Sequence, residues 1–457
     1  MDFTIKNALA CNFYFNDCVT SFKLRKMNRF FIIIPALIAT FVLAFQGASE
    51  AQTKIWTLQE CLQYAIDNNV SLQKTELATL ENEVSRKEAI GAFFPSVSAG
   101  ISQNYSHRNT GGTWSGSYNL GASMNLFNGL KNYWTLKQVK LQSQITDASI
   151  NQSKYDLEIS VTQCYLQILY YKEALSIAKQ NWEVTDKQLQ RGQELYDAGS
   201  YSKSELATLK SQNSSSYYQI INAENALANM KLQLKQLLEL GINDDIDVVD
   251  VSIEKEDIMQ DLDSKNTIYQ RALENMPEMQ VAKLNKDLAD LNFKMSKAGC
   301  YPSLSLSASI GTGNTYNAST SFLEQLSTQF AQSVGISLSI PLFNRLQTYG
   351  TIERARIQMK SVDYDYTIAE KNMLKTIEAL YQDALAAQAK YLASEQQLEA
   401  AILSYELVSE KFNLGMQNAT DLFVERNNLN GAQQDLLQAK YTALLSQKIL
   451  NIYQGIK

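Results

Sequence analysis

Two acidic residues, each following a glycine by the same distance, are the side chains in this sequence best placed for ion chemistry. Asp421 lies six positions after Gly415, and Glu205 lies six positions after Gly199. A carboxylate at the start of a helix can accept backbone N–H groups and cap that helix. In a narrow opening lined by several copies it would instead attract cations. Both interpretations are kept for Asp421.

The residue pattern offers no support for catalysis. The single histidine, His107, lies where we expect a surface loop, and no Ser/His/Asp set, metal-ligand spacing or phosphate-binding loop accompanies it. The segment Gly311-Thr312-Gly313 lacks the lysine of a phosphate loop and is predicted to be a loop. Cys164 falls on an apolar helix position, which favours a core role over metal binding. We therefore expect no enzyme, no cofactor and no metal.

Composition and charge narrow the class of protein. The chain has 457 residues, of which 45% are hydrophobic and 19% charged, with only five prolines, and this favours long uninterrupted helices. The formal net charge is -6, and no basic run occurs in the body of the chain, which argues against a nucleic-acid partner.

The N-terminal segment has the features of an export signal. A cationic stretch from Lys23 to Arg29 precedes an apolar run of 16 residues from Phe30 to Phe45, and Ser49 and Ala51 supply the small residues of a cleavage site. Residues 1–51 are therefore predicted to be an N-terminal extension and signal peptide, with Met27 as a plausible start. A membrane anchor is the alternative, although the run is short and contains Pro35.

The rest of the chain repeats itself. Gly199 and Gly415 are 216 positions apart, as are Leu126-Phe127-Asn128 and Leu342-Phe343-Asn344. Pro95 and Pro302 differ by 207, so about nine residues are inserted between the strands of the second copy. The predicted domains are a first repeat over 52–240, an acidic linker with one short strand over 241–263, and a second repeat over 264–457.

Each repeat contains two segments in which apolar and small polar residues alternate strictly. Alternation over about ten residues, with serines on one face, is typical of a membrane β-strand facing lipid and a wet lumen, whereas a soluble half-buried sheet is the alternative. The apolar sets are Val97, Ala99, Ile101 and Tyr105; Trp114, Tyr118, Leu120, Ala122, Met124 and Leu126; Leu304, Leu306, Ala308 and Ile310; and Val334, Ile336, Leu338, Ile340 and Leu342.

Four strands cannot close a barrel in a membrane. An open edge in hydrocarbon leaves peptide groups unpaired at several kcal/mol each, and the smallest ordinary membrane barrels have about eight strands. The sequence therefore predicts a barrel shared between chains, with two or three copies both compatible with the count.

Long heptad helices follow the strands. Leu157, Val161, Cys164 and Ile168 begin a 4,3,4,3 spacing that recurs 216 positions later, as expected for coiled-coil packing. A four-helix bundle is the alternative, but the runs from Leu130 to Asp197 and from Leu346 to Leu414 lack proline and are far longer than ordinary helices. Each is predicted to turn back at Gly199 or Gly415 into an antiparallel partner.

With these features together, the sequence resembles the TolC family of outer-membrane efflux and secretion ducts over about residues 55–455. The residues that carry the resemblance are Trp56 to Leu62, Phe94-Pro95-Ser96, Tyr301-Pro302-Ser303, Ile340-Pro341-Leu342-Phe343, and Gly415 with Asp421-Leu422. The order and duplication of these motifs are more specific than any one of them.

The resemblance implies a mainly α fold with a small β part, in which long antiparallel helices form a helical barrel below a shared twelve-stranded β-barrel. It implies a homotrimer in the outer membrane and its lipid, extending into the periplasm and docking on an inner-membrane transporter through a periplasmic adaptor. Asp421 and Glu205 become gate candidates, and Pro95, Pro302 and Pro341 become helix-strand junctions. One departure is Val424, which stands where some members carry a second acid, with Glu425 beside it.

We therefore interpret the chain as a passive exit duct whose energy comes from a partner. An exported coiled-coil adhesin or envelope spacer without a conducting lumen is the alternative, and a periplasmic enzyme is a weaker one. The serine-rich strand faces favour the duct, because a spacer has no need of a polar lumen.

Overall fold

The computed structural model describes residues 54–109, 111–251, 253–316 and 320–455. The predicted signal peptide and extension, residues 1–51, lie outside the described residues. The described part is mainly helical with a small share of strand, as the sequence predicts.

The elements occur in the same order in the two halves. The first half contains β1 (Lys54–Trp56), α1 (Leu58–Asn68), α2 (Val70–Gly91), β2 (Ser96–Arg108), β3 (Gly111–Asn128), α3 (Lys131–Asp197) and α4 (Lys203–Leu237). Next come β4 (Ile246–Val248) and α5 (Lys255–Ile258). The second half contains α6 (Lys265–Asn275), α7 (Pro277–Ser296), a 3₁₀ turn (Lys297–Cys300), β5 (Ser303–Thr315), α8 (Phe322–Thr328), β6 (Ala331–Ser339), α9 (Gln347–Asn413) and α10 (Ala419–Gln454).

Local signals fix where the short opening helices begin and end. Thr57 and Glu60 form a capping box at the start of α1, because each side chain binds the other residue's backbone N–H. Asn69 then leaves helical geometry and accepts the N–H of Leu72, which separates α1 from α2. Pro277 plays the matching part in the second half by starting α7.

The four long strands form one antiparallel sheet in the order β2-β3-β5-β6, so the two repeats are joined by the pairing of β3 with β5. The strand registers pair apolar residues with apolar residues and small polar residues with small polar residues. Leu306 lies opposite both Met124 and Ile336, and Ser309 lies opposite both Gly121 and Ser333. Residues paired across strands share a face, so the sheet has one apolar and one small polar face.

The structure corrects four details of the predicted strands. A β-bulge between Asn125 and Phe127 puts Phe127, rather than Leu126, opposite Leu304, because the extra residue reverses the alternation. Strand β6 ends at Ser339, so Ile340 and Leu342 lie beyond it, next to Pro341, which has no N–H to donate.

The other two corrections concern predicted loops. His107 lies within β2, paired with Gly112, rather than in a loop. Gly311-Thr312-Gly313 also lies within a strand, β5, where Gly311 and Gly313 pair with Asn119 and Ser117. Glycine weakens a strand, but pairing with β3 along the whole segment, and with Ala331 of β6 at Gly311, holds it extended.

The inserted residues of the second copy lie between β5 and β6. Strands β2 and β3 are separated by two positions, whereas β5 and β6 are separated by residues 316–330, which include α8. The helix is tied to the sheet through Thr312, whose hydroxyl donates to the Leu326 carbonyl at 2.7 Å, and through Gln325, whose side chain accepts the Thr315 N–H at 2.7 Å.

The two longest helices, α3 and α9, have 67 residues each, which corresponds to about 100 Å. The predicted heptad positions face the packed interior. Leu157, Val161, Cys164 and Ile168 are all buried, and so are Met373 and Ile377 in the second copy. Helix α3 packs between α2 and α7 near the sheet and between α4 and α10 farther away, and α9 packs on α7 and α10.

The linker is tied to both halves. Strand β4 pairs in parallel with β1, and Lys172 on α3 donates to the Val248 carbonyl at 2.8 Å and contacts Asp247 at 3.1 Å. Burial acts to raise the pKa of Asp247, but hydrogen bonds from Lys172, the Val248 N–H and Lys231 outweigh it and hold that pKa below its ordinary value. On the other half, Gln388 of α9 donates to two carbonyls of the linker, those of Ile258 and Gln260.

Candidate functional site

The polar face of the sheet is a continuous strip of small hydroxyl and amide side chains. Serine pairs bridge neighbouring strands: Ser96 and Ser123 at 2.9 Å, Ser102 and Ser117 at 2.7 Å, and Ser309 and Ser333 at 2.8 Å. These side chains are exposed, and no bulky apolar group covers them in the described chain. The face therefore suits contact with water.

The opposite face is apolar and equally uncovered. Ile101, Val334 and Ile336 are 77%, 78% and 70% exposed, and the same face continues through Leu304, Leu306 and Leu338. A contiguous apolar surface of this kind marks contact with lipid or with another protein.

A polar cluster near the strand hairpins interrupts the apolar face, and the sequence interpretation missed it. Gln103 donates to the Tyr118 hydroxyl at 3.0 Å, and that hydroxyl donates to Asn314 at 3.3 Å. Gly116 lies between Gln103 and Asn314 in the register, and a Cβ there would clash with both side chains. Gln103 could have revealed this cluster from the sequence, because it is a polar residue at an apolar position of the alternation.

The two hairpin tips have the same turn. Gly199 and Gly415 have φ of +75° and +73°, in the left-handed region that favours glycine. After each glycine, the next N–H returns to the helix: Ser200 donates to the Leu195 carbonyl and Met416 to the Lys411 carbonyl, both at 2.8 Å. This is the Schellman closure of a helix end. The tips lie side by side, with the rings of Tyr201 and Phe412 centred 6.4 Å apart.

Asp421 does not cap α10, so the capping interpretation is wrong. The cap is Asn418, whose side chain accepts the Asp421 N–H at 2.8 Å, because an amide oxygen three residues earlier reaches that N–H directly. The Asp421 carboxylate instead accepts from the Gln417 side chain at 2.7 Å. The neighbouring acid Glu425 accepts from Ser404 of α9 at 2.9 Å, so it is engaged within its own hairpin.

Glu205 occupies the equivalent place at the start of α4, but its bonding differs. It forms a capping box with Ser202, whose N–H donates to the carboxylate at 2.7 Å. The Ser202 N–H and hydroxyl hold the pKa of Glu205 below its ordinary value. Within the described chain no hydrogen bond or salt bridge joins Glu205 to Asp421.

A buried arginine joins the two hairpins and was also missed. Arg426 on α10 is 4% exposed and donates to the Asn181 carbonyl and side chain on α3, at 3.2 and 2.9 Å, and to the Tyr405 hydroxyl on α9 at 3.1 Å. The position of Arg426 in the sequence could have revealed its burial, because it lies four residues after Leu422 and three before Leu429, at the heptad spacing of core residues.

The predicted junction prolines lie directly at the ends of the strands. Pro95 immediately precedes β2, Pro302 immediately precedes β5, and Pro341 follows the end of β6 by two residues. Each lies where the chain passes between helix and sheet.

Two edges of the helical part carry unpartnered apolar stripes. On α9, Ile357, Tyr364, Leu385 and Leu392 are exposed and separated by multiples of seven residues. On α2, at the other edge, Val70, Leu77 and Val84 are exposed with the same spacing. Heptad stripes of this kind are made to pack on another helix.

The described residues contain no group of three or more His, Cys, Asp or Glu that could hold a metal ion. Cys61 and Cys164 are buried, and Cys300 is exposed.

None of the helices in the described ranges combines the length and the apolar character that a membrane crossing requires.

Comparison with known proteins agrees with this architecture. A family model described as outer membrane efflux protein matches residues 61–239 and 268–453. The chain is 21% identical to outer membrane protein TolC of Escherichia coli, over 93% of this chain and 86% of that protein. It is 23% identical to alkaline protease secretion protein AprF of Pseudomonas aeruginosa, over 69% and 64%. Among solved structures it is similar to CusC, with a TM-score of 0.76, 17% identity and coverage of 89% and 95%.

Proposed function

The chain belongs to the outer membrane efflux protein family, and from that premise we propose that it is the outer-membrane exit duct of a tripartite efflux or type I secretion system. Solute passes through a continuous water-filled lumen across the periplasm and the outer membrane. The duct is passive, and the family is one of channels rather than enzymes.

The sheet is the observation that carries the proposal. Four strands with one apolar and one serine-rich face leave β2 and β6 as open edges. In hydrocarbon, open edges are too costly to persist, so copies of the chain must pair edge to edge until the barrel closes. The apolar face then meets lipid and the serine face lines the lumen.

The stripes on α9 and α2 support a ring of copies. They lie at opposite edges of the helical part, so α9 of one copy meets α2 of the next, a head-to-tail contact that closes into a ring. Three copies give twelve strands, and we propose a homotrimer. The division into 1–51, 52–240, 241–263 and 264–457, with a signal peptide at the start, stays a prediction.

The partners follow from the proposed place in the cell. Energy must come from an inner-membrane transporter, and a periplasmic adaptor must connect it to the hairpin tips. The names of the relatives connect this family with efflux and with protein secretion, and both classes of cargo suit a wide polar lumen.

We propose the tips as the gate. Gly199 and Gly415 close the hairpins, so Asp421 and Glu205 stand one turn into the returning helices at the narrow end. Three copies of Asp421 would form a carboxylate ring that attracts cations. Pro95, Pro302 and Pro341 are proposed to redirect the chain between the helical wall and the barrel.

Removing the charge of Asp421 tests the gate. In Asp421→Asn the Asn418 cap remains, and the new amide oxygen can still accept from Gln417. The cation-over-anion permeability ratio in planar bilayers should fall at least about twofold, because the ring loses its three negative charges. Glu205→Gln is the matched variant at the other tip. Unchanged selectivity with an intact oligomer would place the constriction elsewhere.

Cell fractionation tests the function itself. The full chain should be recovered from the outer membrane as a detergent-stable oligomer of three copies. A soluble periplasmic monomer would contradict the duct, and an outer-membrane oligomer that does not conduct would favour the adhesin or spacer.

A further inference from the structure

Positive charge is concentrated where the helices meet the sheet. Four segments, 84–95, 129–140, 291–302 and 345–356, are together called the collar. The first three directly adjoin a strand, and the fourth is the equivalent of 129–140 in the second repeat. The collar holds ten basic and two acidic residues, a net charge of +8. The other residues of 52–457 hold 26 basic and 42 acidic residues, a net charge of -16.

Eight of the ten basic side chains of the collar have no salt bridge within the described residues; Lys294 pairs with Asp290 at 2.6 Å, and Arg356 pairs with Glu353. Lys137 and Lys140 are exposed, and neither has a salt-bridge partner within the described residues. The Lys137 ammonium lies 4.8 Å from the centre of the Tyr133 ring and 5.4 Å from that of Trp134. Lys297 lies in the same way 4.3 Å from the Phe293 ring. An ammonium group over an aromatic ring is attracted to it, and Trp and Tyr side chains are enriched at the water–membrane interface.

The second repeat presents an equivalent set. Tyr349 and Arg356 stand 216 positions after Tyr133 and Lys140, and both are exposed. Arg356 makes one surface ion pair, with Glu353 at 2.7 Å, and a pair of this exposure is worth little.

The basic side chains of the collar are on the outer side of the ring of helices that surrounds the lumen. Lys137 precedes Tyr165 by 28 residues and Lys172 by 35, both whole numbers of heptads, so the three share a face of α3. Tyr165 and Lys172 contact the small sheet and the linker, at Val249 and Val248. The small sheet and linker must lie outside, because on the inner side three copies would fill the duct. On α9, Gln388 holds the linker and lies five heptads after Glu353, which is the ion-pair partner of Arg356. Glu353 and Arg356 are therefore also placed on the outer side.

The helix ends add to the positive potential. Helices α3 and α9 both begin in the collar, have no acidic residue in the first turn, and are preceded by Leu130 and Leu346, which provide no side-chain cap. The side chains of Asn128 and Asn344 accept the Asn132 and Thr348 N–H groups at 3.4 Å, so part of each first turn is already satisfied. The positive end of each helix dipole faces the membrane side.

We propose that the collar binds the headgroups of anionic phospholipids in the periplasmic leaflet of the outer membrane. The lowest apolar row of the sheet, Phe127, Leu304 and Leu338, lies next to the collar, so the collar is at headgroup depth. The bound lipids fix the height of the duct in the membrane and order the junction between barrel and helices. This inference rests on the proposed function, since it needs the strands to span the membrane.

Lipid titration of the purified oligomer tests the collar. In dodecyl maltoside micelles, added dioleoylphosphatidylglycerol should raise the apparent Tm, and dioleoylphosphatidylcholine should not. For Lys137→Gln/Lys140→Gln/Arg356→Gln the phosphatidylglycerol concentration that gives half the shift should rise about 100-fold, at about fivefold for each basic residue. The single variants Lys137→Gln and Lys140→Gln should each shift it about fivefold, which keeps the test valid if the triple variant does not assemble.

The matched control removes equal charge near the tips, in Lys187→Gln/Lys203→Gln/Lys210→Gln, and should leave the titration unchanged. Equal shifts with both lipids, an unaltered response of the collar variants, or the same shift with inorganic phosphate would overturn the proposal. The conductance of the wild-type oligomer in a planar bilayer distinguishes failure of the collar inference from failure of the proposed duct function. If the oligomer conducts while phosphatidylglycerol has no specific effect, only the collar inference fails.

Discussion

Val334→Arg should prevent assembly of the oligomer in the outer membrane. Val334 pairs with Ala308, which pairs with Ala122, in the middle rows of the apolar face, and its side chain is 78% exposed in a single chain. An arginine there would face hydrocarbon near the midplane at a cost of about 2 to 4 kcal/mol in each copy. The readout is the yield of detergent-stable oligomer in the outer-membrane fraction.

The neighbouring residue supplies the control. Ser333 pairs with Ser309 on the polar face, so Ser333→Arg places the same charge in the lumen and should assemble normally. Leu338 is on the apolar face but one residue from the end of β6, so Leu338→Arg should be less harmful, at about 1 kcal/mol near the interface. Equal defects in Val334→Arg and Ser333→Arg would show that the faces are wrongly assigned.

Ile357→Asp/Leu385→Asp should abolish the oligomer while leaving the fold of one chain intact. Both residues are on the exposed stripe of α9, so neither contributes to the core of its own chain. Burying the still exposed parts of these two side chains against the next copy contributes about 2 to 3 kcal/mol per interface, and a buried carboxylate adds a further penalty. The mass of the particle in detergent, measured by light scattering, should fall to that of one chain.

The control moves the same two charges one residue along α9, in Gln358→Asp/Ala386→Asp. Both residues are exposed and about 100° around the helix from the stripe, so the oligomer should persist. Helix content by circular dichroism should match the wild type in both variants. If both dissociate, or neither does, the stripe is not the interface.

Much of the fold could be predicted because its signals are local. A period of two identifies the strands, a period of 3.5 identifies the helices, and both appear directly in sequences such as Ser303 to Ile310 and Leu157 to Ile168. The hairpin turns follow from single glycines that need positive φ, at Gly199 and Gly415. Repetition at a fixed offset made each of these signals visible twice.

What the sequence did not reveal depends on contacts between distant segments. The bulge at Asn125 and Phe127 arises from the pairing of β3 with β5, which no local pattern encodes. Gly311 and Gly313 resemble a loop, yet neighbouring strands hold them extended. The capping interpretation of Asp421 was wrong because the amide of Asn418 reaches the same N–H first. Arg426 takes a core position because acceptors on two other helices bind its two terminal nitrogens.

Single-channel recording of the purified oligomer in a planar bilayer shows whether the chain forms a conducting duct. We expect discrete, stable current steps without any nucleotide or partner protein, because the lumen is continuous and passive. We also expect loss of those steps in Val334→Arg and their retention in Ser333→Arg. A pure, folded oligomer that inserts into the bilayer and leaves it sealed would contradict the duct.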